Sequence, residues 1–245
     1  YAPRDATNPI EVARLALRYD VAPPLLHLTL WPVAQVAGSL PPALRSVSLV
    51  SVALATILLY FLLRRRFGVA PSAAGVLAVL SNSLVITHAL ELRSYGLWLL
   101  FGCGFAWALG LDPGRPSRRR DVALAILAAS LCALHWFGVT SLALLVAGGF
   151  LSQWPRWREG LRLVAPAAAG PVVLALLLPA MVRQFEYSGT ALFWVPSLSF
   201  AQVMQMAQLF WIRLPIAVGL VLLLAYQLFP RFTRDWRPAA RVAGV

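Results

Sequence analysis

The chain has 245 residues, of which 60% are hydrophobic and 12% are charged, and its mean hydropathy is +0.75. An ordinary soluble domain carries about 25% charged residues and about 45–50% apolar residues. A soluble fold of this length cannot bury so much apolar surface, so the composition excludes a soluble enzyme and a disordered chain. It predicts an all-α protein, a polytopic bundle of transmembrane helices.

The net charge is +12 at pH 7, and all 21 basic residues are arginines. A pI near 11.3 is also typical of proteins that bind nucleic acid. The arginines, however, stand in short runs between apolar stretches, which is the pattern of cytoplasmic loops in membrane proteins. We therefore expect the membrane as a partner and no nucleic acid.

Residues 1–45 precede the first long apolar run and are predicted to form an extracytoplasmic loop with interfacial helices. The segment Pro9–Tyr19 mixes apolar and charged residues in the pattern of an amphipathic helix that lies on a membrane surface. Residues 24–38 are apolar, but a helix of that length reaches only about 22 Å, which is less than the ~30 Å hydrocarbon core. Pro32 also interrupts this segment, so we expect a second interfacial helix or a re-entrant helix.

Residues 46–230 are predicted to form the transmembrane bundle. A helix needs about 20 apolar residues to cross a bilayer, and the 34 uncharged residues from 122 to 155 are too many for one span. We interpret that run as a hairpin that turns between His135 and Gly138. The predicted spans number about seven and lie at 46–63, 69–90, 94–111, 122–155 (two spans), 163–182 and 214–230.

The arginine runs support the hairpin. With two spans in 122–155, the arginines of 64–66, 115–120, 156–162 and the tail 231–245 all fall on one face of the membrane. A single span would put two of these runs on opposite faces. The positive-inside rule favours the first arrangement and assigns the arginine-rich face to the cytoplasm.

Acidic residues on the outer face are the first candidates for chemistry, because outer loops need no acid to set the topology. Glu91 lies between two predicted spans with almost no loop, so Glu91 and Arg93 are expected at the membrane boundary, where ionisable groups are candidates for function. They form either a site acid beside a cation that holds a phosphate, or a turn that caps two helices. Asp20, before a Pro-Pro pair, is either a site acid or a helix cap. The outer acids are Asp5, Glu11, Asp20, Glu91 and Glu186.

The three histidines, His27, His88 and His135, do not have the spacing of a metal site. His135 stands at the predicted hairpin turn, where it either meets a ligand phosphate or lies in interfacial water. The sequence contains no Gly-rich phosphate loop, no CxxC pair and no Ser/His/Asp order.

Several short motifs follow one another in a distinctive order. They are Asp20-Val-Ala-Pro-Pro-Leu, Pro41-Pro-Ala-Leu-Arg45, Arg64-Arg-Arg-Phe-Gly68, Glu91-Leu-Arg-Ser-Tyr95, His135-Trp-Phe137 and Trp194-Val-Pro196. This order resembles the GT-C membrane glycosyltransferases of the dolichyl-phosphate-mannose-protein mannosyltransferase type, that is, the glycosyltransferase family 39-like enzymes. The resemblance covers most of residues 5–200.

The resemblance implies a catalytic site on the outer face. An Asp of the family's first outer loop acts as a general base on the acceptor, and Asp5 is the matching position, after a first span that would lie upstream of Tyr1. Asp20 and Glu91 are the other expected catalytic acids. The residues expected to bind the donor phosphate are Arg93, Tyr95 and His135.

The sequence departs from the family's pattern at two positions. Ala6 stands where the family often has Glu, and Ala22 stands where it has the His before the Pro-Pro pair. A divalent metal ion is the cofactor that the resemblance implies. Carboxylate and imidazole are the usual metal ligands, so both departures weaken the expectation of a metal.

The implied reaction is an inverting transfer of a sugar from a polyprenyl-phosphate donor to a lipid, glycan or protein acceptor, at the outer face of a bacterial plasma membrane. Two other classes of protein stay open. A transporter or flippase for a lipid-linked or small polar substrate would show charged residues at mid-span or broken helices in paired halves. A structural subunit of a membrane complex would need no outer-face acid.

Overall fold

The computed structural model describes residues 6–20, 23–38, 40–110, 117–135, 138–153 and 156–188. These residues fold into helices, and no strand occurs among them, which confirms the all-α class for this part of the chain. The chain divides into two compact units, Tyr1–Phe185 and Glu186–Val245. The helices belong to the first unit, apart from the end of the last helix. The predicted span at 214–230 and the arginine tail lie outside the described residues.

Ten α-helices follow one another in the described ranges, and a 3-10 helix at Ala165–Ala168 joins the last two. They are α1 (Pro9–Tyr19), α2 (Leu25–Ala37), α3 (Pro41–Phe67), α4 (Val69–Leu80), α5 (Ser83–Leu90), α6 (Tyr95–Gly110), α7 (Arg118–Leu134), α8 (Gly138–Leu151), α9 (Trp157–Val164) and α10 (Ala169–Ser188).

The beginning of α1 is defined by side chains that lie just before the helix and in its first turn. The Asn8 side-chain oxygen accepts a hydrogen bond from the Glu11 N–H at 3.0 Å, which satisfies one of the helix's unpaired donors. The Glu11 carboxylate reaches back and accepts from the Thr7 N–H at 2.8 Å and from its hydroxyl at 2.7 Å. These hydrogen bonds from Thr7 lower the pKa of Glu11. The helix therefore begins at Pro9, as the sequence predicts.

Replacing Asn8 with Ala is expected to destabilise the first turn of α1 by about 1 kcal/mol, because the Glu11 N–H loses its acceptor. Hydrogen exchange of the α1 backbone amides should become about fivefold faster as a result. Asn8→Ser, which keeps an acceptor, is the control and should exchange almost like the unmodified protein. Equal exchange in the Ala and Ser variants would contradict the cap.

The first two helices are attached to the beginning of α3. The Trp31 indole N–H of α2 donates a hydrogen bond to the Ala6 carbonyl oxygen at 3.2 Å. Leu30 and Ala34 of α2 are buried against Leu44 of α3. Helix α1 packs on α2, and α2 packs on both α3 and α7. Residues 6–38 therefore lie at the end of the bundle where α3 begins.

Helices α3 and α6 run parallel to each other. The glycines of α6 show which residues of α3 lie beside them. A Cβ atom added at Gly96 would contact Ser48, and one added at Gly110 would contact a methyl group of Leu62. The two contacts are separated by the same number of residues on each helix, about 21 Å along the axis. Helices α4 and α5 return the chain from the end of α3 to the beginning of α6.

Helices α6, α7 and α8 form an up-and-down arrangement. A Cβ atom at Gly104 of α6 would meet Leu127 of α7, and the Trp98 ring stacks on the His135 ring just after α7. Helices α6 and α7 are therefore antiparallel. Helix α8 begins only four residues after α7 ends, so it turns back beside α7. The main buried cluster lies among these helices and consists of Phe105, Ala108, Leu124, Ala128, Leu131, Cys132, Leu142 and Ala167.

The last helices run back along α8. A Cβ atom at Gly149 would meet Val164, and one at Gly170 would meet Leu142, so α8 and the segment from α9 to α10 are antiparallel. A Cβ atom at Gly160 would meet Phe150, near the end of α8. Helix α9 therefore begins at the end of the bundle where α3 and α6 finish.

The two ends of the bundle differ in charge. The arginine end, defined by 64–66, 118–120 and 156–162, collects the end of α3, the beginning of α7 and helix α9. The opposite end holds the beginnings of α3 and α6, the end of α5 and the turn after α7, and we call it the cluster end. About 22 Å separates the ends along α6. Three arginine runs thus share one end, as the predicted hairpin requires.

Within the described ranges, two helical segments are long and apolar enough to cross a membrane, Pro41–Phe67 and Trp157–Arg183. Only 22% of the most apolar window of each is buried, whereas a core helix of a soluble protein is mostly buried. Exposed large apolar residues also cover other helices, among them Leu77, Leu144 and Leu176. The shorter apolar helices are Leu25–Ala37, Val69–Leu80, Tyr95–Gly110 and Gly138–Leu151. The count of seven spans stays a prediction.

Helices α7 and α8 form the helix pair predicted within 122–155, whose crossing of a membrane stays a prediction. The predicted single span at 69–90 is two helices. The break falls at Ser81 and Asn82. The Ser81 hydroxyl donates to the Leu77 carbonyl oxygen at 2.7 Å, and the Asn82 carbonyl oxygen accepts from the Ile86 N–H at 3.1 Å to begin α5. The same side-chain bond forms at Ser51 inside the unbroken α3, so the Ser81 bond marks the position of the break without causing it.

Candidate functional site

Charged and aromatic side chains meet at the cluster end of the bundle. They come from the end of α5, the short bend before α6, the first turn of α6 and the residue after α7. Antiparallel packing of α6 and α7 brings residues that are about forty positions apart into contact. We call this set the boundary cluster; its members are His88, Glu91, Arg93, Tyr95, Trp98 and His135.

Glu91 is the polar centre of the boundary cluster. Its carboxylate lies 2.9 Å from His88 Nδ1 and 4.0 Å from Arg93 Nε. The Glu91 side chain is 42% exposed and that of Arg93 is 54% exposed. The carboxylate can therefore accept a proton from a bound molecule, and the guanidinium can donate hydrogen bonds to an anion.

The aromatic half of the boundary cluster is a row of rings. The His88 and Tyr95 ring centroids are 4.1 Å apart, and the Tyr95 and His135 centroids are 5.8 Å apart. The Trp98 and His135 rings are stacked with centroids 5.3 Å apart and an interplanar angle of 3°. This row gives the end of the bundle a partly exposed aromatic surface next to a carboxylate and a guanidinium.

Helix α3 supports the backbone that carries Glu91 and Arg93. The buried Ser48 hydroxyl lies 3.2 Å from the His88 carbonyl oxygen and 3.3 Å from the Arg93 carbonyl oxygen. A Cβ atom at Gly96 would lie 2.6 Å from the Ser48 carbonyl oxygen, so only glycine permits this approach of α6 to α3. Both sides of the bend at 91–94 are thereby held against α3.

Asp20 forms a close pair with His27. The Asp20 carboxylate and His27 Nε2 are 2.5 Å apart, with side chains 36% and 12% exposed. Asp20 is the C-cap residue of α1, where a negative charge faces the negative end of the helix dipole. A hydrogen bond from the His27 ring compensates that charge. The pair links α1 to α2 and leaves part of the carboxylate accessible.

The Asp20–His27 pair lies at the same end of the bundle as the boundary cluster. His27 is one turn before Leu30, which packs on Leu44 at the beginning of α3. Leu44 is one helical turn, about 6 Å, before Ser48, which contacts the bend of the boundary cluster. Two accessible carboxylates, of Asp20 and Glu91, thus share one end of the molecule.

Burial lowers the pKa of His135 below its ordinary value near 6.5, because desolvation disfavours the charged imidazolium. The imidazole is therefore neutral at pH 7, stacked on Trp98, with one ring N–H as a donor. A neutral ring can donate to a phosphate oxygen without the desolvation cost of a buried cation.

The contribution of His135 to stability is expected to fall as the pH drops from 7.5 to 5.5. The folded pKa of His135 lies below the unfolded value, so below about pH 6.5 the unfolded chain binds the proton more readily. Between pH 7.5 and pH 5.5 the Tm of the detergent-solubilised protein should therefore change in the destabilising direction relative to that of His135→Gln, which cannot titrate. His27 and His88 are present in both proteins and serve as the internal control. An identical change in Tm with pH in the two proteins would contradict the role of His135.

The structure brings most of the predicted site residues together. Glu91, Arg93, Tyr95 and His135 belong to the boundary cluster, and Asp20 is paired with His27. Asp5 and Glu186 are residues whose side chains lie outside the structural description, and Glu11 caps α1. His88, Trp98 and His27 contact these residues and were not predicted for the site. The spacings His88-x-x-Glu91 and Tyr95-x-x-Trp98 are i,i+3 pairs that identify two of them.

A metal ion would need donors beside Glu91. Within the described ranges, no group of three or more His, Cys, Asp and Glu side chains could hold a metal ion. Glu91 and His88 supply two adjacent donors. The divalent metal implied by the resemblance stays a prediction.

No protein-family model matches the chain, and no curated protein or solved structure matches it.

Proposed function

We propose that the chain is an integral membrane glycosyltransferase that moves a sugar from a polyprenyl-phosphate donor to a lipid, glycan or protein acceptor. The observation that carries the proposal is the charge separation along the bundle. Glu91, His88, Arg93 and His135 lie together at one end of an apolar bundle, and three arginine runs lie at the other. By the positive-inside rule the arginine end faces the cytoplasm, which gives the cluster end the outer membrane face.

The residues at the cluster end suit a displacement at a sugar-phosphate bond. A carboxylate of the cluster end, from Asp20 or Glu91, takes the proton of the acceptor hydroxyl as the hydroxyl oxygen attacks the anomeric carbon opposite the phosphate. Asp5, which the resemblance implies as the base, lies outside the described residues and is the third candidate. The new C–O bond forms while the bond between the anomeric carbon and the phosphate oxygen breaks, and the electron pair leaves with the phosphate. This single displacement inverts the anomeric centre.

The leaving phosphate gains negative charge and needs donors in place beforehand. Arg93 supplies a charged donor, and the neutral His135 ring supplies an uncharged one. The rings of Tyr95 and Trp98 offer apolar surface beside the reacting groups. The exposed apolar faces of the bundle suit the polyprenyl tail of the donor, which would lie in the hydrocarbon region with its phosphate at the boundary.

Single Ala substitutions of Asp5, Asp20 and Glu91 in the full-length protein test the proposal. Transfer is measured from polyprenyl-phosphate-linked mannose, arabinose, glucose and galactose in parallel. At least one variant should lose about 100-fold or more of the transfer rate, because a general base contributes about 10²–10⁴-fold. Glu159→Ala is the control, since Glu159 pairs with Arg156 at the arginine end. Full transfer by all three variants would refute the site assignment.

Interrupted helices favour a second candidate, a transporter or flippase. The chain breaks between α4 and α5, and a 3-10 helix containing Pro166 interrupts the segment from α9 to α10. Discontinuous helices are typical of substrate sites in secondary transporters. Uptake of a labelled lipid-linked sugar into vesicles, with no glycosylated product, would support this candidate over the glycosyltransferase.

A further inference from the structure

One face of α3 is a continuous apolar stripe in which each residue is exposed. Val50, Leu54, Ile57 and Phe61 follow at helical spacing and are 43–54% exposed. Their side chains extend over about 17 Å of the helix. One leaflet of the hydrocarbon core is about 15 Å thick, so the stripe has the length of one leaflet.

The stripe ends at two arginines near the arginine end of the bundle. Arg64 and Arg65 lie three and four residues after Phe61, which puts them above it on the helix surface. The Arg65 guanidinium carbon lies 3.8 Å from the centroid of the Trp107 ring of α6. Stacking on the ring holds the guanidinium in place and leaves its N–H edge for an anion.

No carboxylate among the residues that the structure describes balances the charge at this position. Among the residues that the structure describes, ion pairs at the arginine end join Arg120 to Asp121 and Arg156 to Glu159. No described carboxylate pairs with Arg64 or Arg65, and both arginines are exposed. An anion of the surrounding medium is therefore favoured next to Arg65.

We propose that this surface binds an anionic phospholipid, with the headgroup phosphate on Arg64 and Arg65 and an acyl chain along the apolar stripe. The charge of the two arginines selects the headgroup, and the leaflet-length stripe selects the lipid over a soluble phosphate compound. The proposal depends on the membrane location of the chain and not on glycosyl transfer, so transfer assays and lipid binding fail independently.

Lipid binding is measured on the full chain in neutral detergent by native mass spectrometry and by the shift in Tm. The additions are phosphatidylglycerol, phosphatidylcholine and inorganic phosphate. Phosphatidylglycerol should bind with at least about fivefold preference over phosphatidylcholine, since one arginine near a headgroup contributes roughly that factor. Arg65→Gln should remove the preference, whereas Ile57→Gln, which interrupts the stripe that holds the acyl chain, should weaken the binding of both lipids. Arg158→Gln is the matched control, because Arg158 also stacks on a Trp ring, that of Trp157 at 5.3 Å.

Each alternative result overturns the proposal. Equal binding of both lipids would mean non-selective solvation of the stripe. A Tm shift with inorganic phosphate alone would mean a site for the free anion. A dimer that Ile57→Gln dissociates would identify the stripe as an interface between two copies. Loss of the preference in Arg158→Gln would assign the binding to the general charge of the arginine end.

Discussion

Replacing Arg93 with Ala is expected to lower kcat/KM for the lipid-phosphate sugar donor by about 100-fold. The guanidinium is 54% exposed and lies 4.0 Å from Glu91, so it can reach a donor phosphate at the cluster end. Removing one donor to a developing negative charge typically costs about 10²–10³-fold in rate. The effect should appear mainly in kcat, because the phosphate becomes more negative as the sugar departs.

Two further variants make this prediction specific. Arg93→Lys keeps the positive charge but loses the planar fork, so it should retain part of the rate. Arg14→Ala removes an exposed arginine of α1 and should leave the rate unchanged. A loss of rate in Arg14→Ala as large as in Arg93→Ala would reduce the effect to general electrostatics. An unchanged rate in Arg93→Ala would remove Arg93 from the proposed site.

Local patterns in the sequence predict most of the helices. The bounds of α1 follow from its amphipathic pattern and the Asn8 cap, and the hairpin in 122–155 follows from length and arginine placement. The break between α4 and α5 was not predicted, because hydropathy and charge alone do not register Ser81 and Asn82 as interruptions. Each is polar but uncharged, so the run at 69–90 contains no charge that would divide it.

The candidate site is predictable from the sequence only in part, because some of its contacts depend on tertiary packing. Glu91 and Arg93 stand out because they are charges between two apolar runs. Contacts between distant segments, such as Trp98 with His135, depend on how α6 packs on α7. The Asp20–His27 pair crosses the chain reversal at Pro23 and Pro24, so no helical spacing connects its members. Such pairs arise from tertiary packing and leave no periodic signal in the sequence.

The close approach of α3 and α6 should make Gly96 intolerant of any side chain. In Gly96→Ala, the new Cβ would lie 2.6 Å from the Ser48 carbonyl oxygen and 2.9 Å from its hydroxyl. A backbone oxygen cannot rotate away, so the two helices must separate at the cluster end. Overpacking of this kind typically costs about 1–3 kcal/mol, and we expect a value near the upper limit.

Gly102→Ala on the same helix is the matched control. A Cβ atom at Gly102 would meet nothing within 4 Å, and Ala is favoured over Gly inside a helix by about 1 kcal/mol. In detergent the Gly102 variant should therefore be as stable as the unmodified protein or more so, whereas Gly96→Ala should lower the Tm. Equal Tm values for the two variants would contradict the α3–α6 contact.

Gly96→Ala also separates the role of the scaffold from the role of the site residues. The variant keeps every member of the boundary cluster, but it displaces the first turn of α6, which carries Tyr95 and Trp98, from the Ser48 contact that holds the bend at 91–94. If the geometry of the bend positions Glu91 and Arg93 for catalysis, transfer should fall even at temperatures where the variant remains folded. Normal transfer by a folded Gly96→Ala protein would show that the reaction does not depend on this arrangement.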